Sequence, residues 1–177
     1  MACLGYFYKY KQELTMPRTH GQPDRLGIRW TGRVTTGEIG VWRALTDYRE
    51  FGEWFRVKLE GPFVPGEVSR GQMTYPGYEH VKWEAVVEKM EPERLFSFTW
   101  PHPKSHEKAD YLGDYSKEPS TLVEFRLEKT ANGTLLTVTE SGFDQLPGDR
   151  RLEAFRRNEG GWAEQVKNIE AYLAKNS

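Results

Sequence analysis

Glu140 is a carboxylate at a position where the alternation of its strand calls for an apolar side chain. In Thr134-Leu135-Leu136-Thr137-Val138-Thr139-Glu140, side chains point alternately to two faces. Leu136 and Val138 share a face with Glu140, whereas Thr137, Thr139 and Ser141 form the other, which reads as solvated. Glu140 is therefore expected to point inward, where a carboxylate needs hydrogen-bond partners, a proton or a wet cavity. Three roles fit: a polar anchor for a ligand's hydroxyl or amine, a structural carboxylate held by a helix or loop donor, and a general base.

Other groups with chemical potential are few. His102, His106, Asp110 and Asp114 recur every four residues, a spacing that aligns metal ligands on a helix. Pro101, Pro103 and Gly113 interrupt any regular helix there, so these four are expected to be solvated loop residues rather than a metal site. His80 phases with the charged face of its strand and is expected to be exposed. No Ser-His-Asp arrangement can be assembled, and no phosphate-binding Gly-rich loop or dinucleotide fingerprint is present; no cofactor is expected. Cys3 is the single cysteine, which excludes intrachain disulfides and cysteine-based zinc sites.

The bulk properties agree with a ligand-handling domain. A chain of 177 residues suits one domain that buries roughly 70% of its unfolded surface. Formal net charge is −1 and no basic stretch is present, which argues against a nucleic-acid partner. No apolar run approaches the ~20 residues of a membrane span. The first residues lack a basic start followed by an apolar stretch, so a cytoplasmic protein is expected rather than a secreted one. Aromatic residues reach 14%, six of them Trp, and large aromatics line both cores and ligand pockets.

The elements that must position these groups follow from periodicity. Residues 1–26 read as a loose N-terminal extension, in which Met16 offers an alternative start, and 27–177 as the domain. Ile28 to Val34 predicts a strand. Thr35 and Glu38 fit a capping box, and Ile39, Trp42 and Leu45 give the following helix an apolar stripe. Phe51, Trp54 and Phe55 predict a second short helix. Val81, Trp83, Ala85 and Val87 then alternate with charges, as do Phe96, Phe98 and Trp100 with Leu95, Ser97 and Thr99. Residues 101–119 read as a polar loop long enough to act as a lid. Val123, Phe125 and Leu127 face inward on the next strand. Asn132-Gly133 predicts a two-residue hairpin turn, which places Leu127 opposite Val138 and Phe125 opposite Glu140. A long helix is expected from an N-cap at Asp149, with Leu152, Phe155, Trp162, Val166, Ile169 and Leu173 on one face. Gly160-Gly161 falls inside it, so a close approach to the sheet, room for a ligand or a break is expected there. The Arg150-Arg151 and Arg156-Arg157 pairs are expected on its solvent side.

Strand, two short helices, several antiparallel strands and one long C-terminal helix, in that order, make an α+β chain. Val41-Trp42-Arg43-Ala44-Leu45-Thr46-Asp47, Trp54-Phe55, Phe98-Thr99-Trp100, Glu140-Ser141-Gly142-Phe143 and Gly161-Trp162 occur along it. In this order they resemble the START-like (SRPBCC) superfamily, in the branch of heat-shock protein 90 ATPase activator and polyketide-cyclase-like domains. Thr36-Gly37 stands where that family often has Ala-Pro.

The resemblance covers about residues 28–175 and implies the helix-grip fold, a curved antiparallel sheet around the C-terminal helix with an apolar chamber between. It implies a small apolar or aromatic, lipid- or polyketide-like ligand, held by a carrier or sensor. Trp54, Phe55, Trp83, Phe96, Phe98, Trp100, Phe125, Val138, Glu140, Trp162 and Val166 are the expected lining. A cyclase- or hydrolase-type enzyme with Glu140 as base, and a chaperone-interacting module linked to stress response, are the alternatives. The residues ahead of 27 are too few for the separate N-terminal domain of eukaryotic activators, which favours ligand binding over chaperone activation.

Overall fold

The Thr130–Gly133 pair closes a hairpin that fixes the faces of the two strands it joins and, through them, the direction of Glu140. A computed structural model describes residues 26–102 and 117–176 of the chain. The expected N-terminal extension, but for Leu26, lies outside them.

Strands β1 (Gly27–Val34), β2 (Val57–Leu59), β3 (Val68–Met73), β4 (Lys82–Glu91), β5 (Leu95–Pro101), β6 (Ser120–Thr130) and β7 (Gly133–Ser141) form one antiparallel sheet. Its order is β1-β7-β6-β5-β4-β3-β2, so that β1 closes back on the last strand. The inner face carries Trp83, Ala85 and Val87 from β4, Phe96 and Phe98 from β5, Val123 and Phe125 from β6, and Leu136 and Val138 from β7. That is the alternation expected from the sequence, and it is the α+β helix-grip architecture.

The hairpin register differs from the expected one by two residues. Ala131 and Asn132 make the turn, and Leu127 pairs with Leu136, Phe125 with Val138 and Val123 with Glu140. An even slip preserves every side chain's face, so the inward direction of Glu140 survives the correction. Gly133 (φ 138°) opens β7 rather than completing the turn, because a Cβ there would lie 2.0 Å from the Val34 carbonyl oxygen. The partner face is less solvated than expected: Thr137 is buried, with its hydroxyl 3.5 Å from that of Thr31.

Helices α1 (Glu38–Thr46) and α2 (Tyr48–Phe55) follow β1. The Thr35–Glu38 capping box does not form, and Gly37 is the N-cap. β1 stays paired through Val34, and the Thr36 carbonyl is held by the Thr134 hydroxyl at 2.8 Å, so the chain leaves the sheet too late for Thr35 to cap. The buried stripe of α1 is Val41, Ala44 and Leu45, and Ile39 is 70% exposed. Asp47 caps α2 by accepting from the backbone N–H groups of Arg49 and Glu50. The indole of Trp54 donates to the Ala44 carbonyl at 2.8 Å, clamping the two helices together.

Helix α3 (Gly148–Lys175) packs across the inner face. Its N-cap is Pro147 rather than Asp149, which sits in the first turn where its charge complements the helix dipole. Phe155, Trp162, Val166, Ile169 and Leu173 are buried as expected, whereas Leu152 is 55% exposed. Phe155 packs with Phe143 and Leu146 in a small cluster of its own, and this turns Leu152 outward. The helix is unbroken through Gly160-Gly161, where a Cβ on either residue would meet nothing within 4 Å. Neither sheet contact nor a break explains these glycines. Replacing each by Ala is therefore expected to raise stability by about 1 kcal/mol, read as a higher denaturation midpoint in urea; an unchanged or lower midpoint would count against open space at both positions.

Candidate functional site

Four elements deliver donors to one carboxylate or hold it in place. Glu140, at the end of β7, is 1% exposed. Its Oε1 accepts from the Trp100 indole at 2.7 Å, the Thr121 hydroxyl at 2.5 Å and the Asn158 amide at 2.8 Å. Its Oε2 accepts from the Trp162 indole at 2.6 Å. Trp100 ends β5, Thr121 begins β6, and Asn158 and Trp162 lie one turn apart on the inner side of α3. His102, just past β5, stands behind Thr121, with Nε2 at 2.8 Å from the threonine oxygen and 3.5 Å from Glu140 Oε1. Thr121 has one hydroxyl proton and gives it to Glu140, so Nε2 of His102 carries the proton that reaches Thr121.

Burial pushes the Glu140 carboxyl upward, but the bonds from His102, Thr121, Trp100 and Trp162 together outweigh it and hold the group below its ordinary 4.5. The charge is therefore stabilised by hydrogen bonds that converge on it from several side chains. Ionised acceptors make the stronger hydrogen bonds, so each indole and the amide is fixed in orientation by the same anion.

Around this charge the interior is built of rings. Trp100 and Trp162 lie with centroids 5.7 Å apart, and Trp162 reaches Phe125 at 5.8 Å and Phe55 at 6.3 Å. Phe55 and Trp54 continue to Phe51, and Phe96 and Phe98 join Trp83 and Phe125. Val138 and Val166 are buried as well. Every expected lining residue thus lies in the buried interior or, for Trp100, at its half-exposed margin.

A family model described as Activator of Hsp90 ATPase homolog 1-like protein matches residues 40–174, about three quarters of the chain. This chain belongs to that family. The helix-grip resemblance read from the sequence is thereby borne out. Among solved structures, DynU16, from the dynemicin biosynthetic locus, superposes with a TM-score of 0.64 at 24% identity, covering 85% of this chain and 48% of its own. This chain accordingly spans about half the length of DynU16. A protein from Arthrobacter aurescens gives 0.70 at 18% identity over 91% of this chain and 93% of its own. CalU16 from Micromonospora echinospora gives 0.58 at 19% identity, over 88% and 81%. At these identities the solved structures establish the fold. None of the curated proteins compared with the chain matches it.

Within the family's frame, several sequence expectations change. His102 is not a solvated loop residue: it is buried, packs its ring 5.7 Å from Phe143, and serves the Glu140 cluster. Its expected companions His106, Asp110 and Asp114 lie outside the described residues, and among the described residues no group of His, Cys, Asp and Glu could hold a metal. No described helix is long and apolar enough to cross a membrane. His80 is half-buried in the turn before β4 rather than exposed on the strand. Arg150 and Arg151 do more than face solvent. Arg150 reaches the His102 carbonyl and Glu118, and Arg151 donates to the carbonyls of Asp144 and Leu146.

Thr121 and Asn158 went unread as site residues, although both carried a signal. Thr121 has the inward phase of Val123 and Phe125, and a polar residue in that phase marks the partner of an inward carboxylate. Asn158 precedes Trp162 by four residues, which puts both on one helix face.

Every group that meets Glu140 is a donor, and this makes an amide a poor substitute. Glu140→Gln turns an NH₂ toward one of those donors and leaves a buried N–H unpaired, which should cost about 2–4 kcal/mol near neutral pH. Because the folded carboxyl titrates below its unfolded value, its contribution is present above pH 4.5 and is lost as pH falls through the lower folded value. Urea melts from pH 7 to pH 3 should show the wild type losing its advantage over the variant below that point. A constant gap across the range would refute a charge-based clasp.

Proposed function

We propose that this domain binds a bulky apolar or aromatic molecule between the sheet and α3, as a cytoplasmic carrier or sensor that leaves the molecule chemically unaltered. The observation that carries this reading is the set of hydrogen bonds that Glu140 accepts. Its oxygens already accept four hydrogen bonds, so the charge is occupied with holding Trp100 and Trp162 in place. A guest in this interior meets ring faces and aliphatic side chains, which favours a lipid- or polyketide-like molecule. Of the roles open to Glu140, this geometry favours the structural one, in which it sets the orientation of the binding wall. A general base needs a raised affinity for protons, whereas the bonds around Glu140 lower it.

The half-exposed Trp100 and Asn158 lie where the cluster reaches solvent. Entry there requires α3 to move from the Trp100 side of the sheet, and the bonds from Asn158 and Trp162 to Glu140 set the resistance to that motion. The lone cysteine suits a reducing compartment.

Native mass spectrometry of protein taken from its own host tests the reading, followed by titration with fatty acids and fused-ring aromatics monitored by tryptophan fluorescence. The expected result is a retained small apolar molecule, recovered unchanged after incubation, and quenching that saturates at one equivalent. Conversion of the molecule would point to an enzyme instead. Stimulation of a heat-shock protein 90 ATPase without any apolar binding would point to a chaperone module. Absence of retained molecule, quenching and displacement together would overturn the proposal.

A further inference from the structure

Two polar groups on the inner face of β3 and β4 are buried with no partner among the described residues: the indole N–H of Trp83 and the hydroxyl of Ser69. Trp83 is 5% exposed and Ser69 8%. The strand register places them side by side. Ser69 pairs with Ala85, and Gly71 pairs with Trp83, so the two occupy diagonal positions on one face. The positions that complete this square are Gly71 and Ala85, the smallest residues available. Four other rings pack around that of Trp83: Phe51, Phe55, Phe63 and Phe98, with centroids between 5.7 and 6.3 Å away.

The contrast with the other indoles is informative. Trp54 donates to Ala44, and Trp100 and Trp162 donate to Glu140. An unpaired donor in an apolar interior costs the desolvation of that group, and a phenylalanine at 83 would fill much of the same space without it. Both groups can donate, and an oxygen with two lone pairs can accept from both.

We infer that Trp83 and Ser69 form an acceptor-recognising subsite, which takes a carbonyl oxygen on an otherwise apolar, flat guest. The inference rests on the proposed binding function and makes it specific: the guest is a ketone-bearing molecule rather than a plain hydrocarbon. The subsite belongs to β3 and β4, whereas the Glu140 clasp belongs to the ends of β5, β6 and β7, so the guest's carbonyl marks which end lies under which strands.

A matched pair of probes separates the two claims. 2-Acetylnaphthalene and 2-ethylnaphthalene have nearly the same shape and differ in one carbonyl oxygen. In the wild type the ketone should bind about tenfold more tightly than the hydrocarbon. The infrared carbonyl stretch of the bound ketone should move to lower wavenumber, and the Trp83 indole proton should shift downfield. In Trp83→Phe and in Ser69→Ala the ketone should lose more affinity than the hydrocarbon, so that the ratio between the two probes falls toward one. Equal affinity of the wild type for both probes, as expected if water already satisfies the two groups, would overturn the subsite and leave apolar binding standing. Failure of both probes to bind would overturn the binding function, and the subsite with it. If either variant fails to fold, the wild-type affinity ratio and the carbonyl shift still decide the question.

Discussion

The structure depends on a single buried anion surrounded by hydrogen-bond donors. Glu140 sits where three strand ends and one helix converge, and its charge is what makes their convergence favourable. An isolated buried carboxylate would cost several kcal/mol. Here the cost is offset by hydrogen bonds from His102, Thr121 and the indoles of Trp100 and Trp162, so the carboxyl stays ionised despite its burial. The consequence is mechanical. Trp162 and Asn158 tie α3 to the sheet through Glu140, while Trp100 and Thr121 tie the end of β5 and the start of β6 to the same point. His102 extends the tie, since its backbone N–H donates to the Pro119 carbonyl at 2.9 Å while its ring reaches Thr121.

The aromatic interior follows from this arrangement. Rings gain most when held edge to face or offset, at separations the protein must enforce. Fixing the indole N–H groups of Trp100 and Trp162 on one anion fixes the tilt of both rings, and Phe125 and Phe55 then pack against a wall that is already oriented. Trp54 is set in the same way by the Ala44 carbonyl. Polar contacts at the margin thus determine geometry in the apolar middle.

The fold and the direction of Glu140 were legible because both depend on parity, and parity is robust. Alternation along β4, β5, β6 and β7 survives a two-residue error in the hairpin, since an even slip exchanges partners without exchanging faces. The error itself arose because Asn132-Gly133 has the strongest local turn preference, while close approach of Val34 recruits Gly133 into the strand instead. Helix faces were less legible. Ile39 and Leu152 satisfy the apolar period at the outermost turns of α1 and α3, where no sheet lies beneath them. The Glu140 partners were only half visible: the tryptophans read as lining, while Thr121, Asn158 and His102 come from three separate segments whose meeting is a property of the sheet's closure. No local pattern encodes that.

The interior is consequently polarised in a way that composition does not reveal. At one end an acceptor, Glu140, meets four donors; at the other, donors on Trp83 and Ser69 have no acceptor among the described residues. The first condition rigidifies, because every bond is already made and any motion of α3 must break one. The second favours occupation, because unpaired buried donors gain free energy when an oxygen arrives. A fold that needed only stability would have no use for the second. Under the proposed binding function the two conditions divide the work: a guest would be stabilised at β3 and β4, and the clasp between α3 and the strand ends would resist its release.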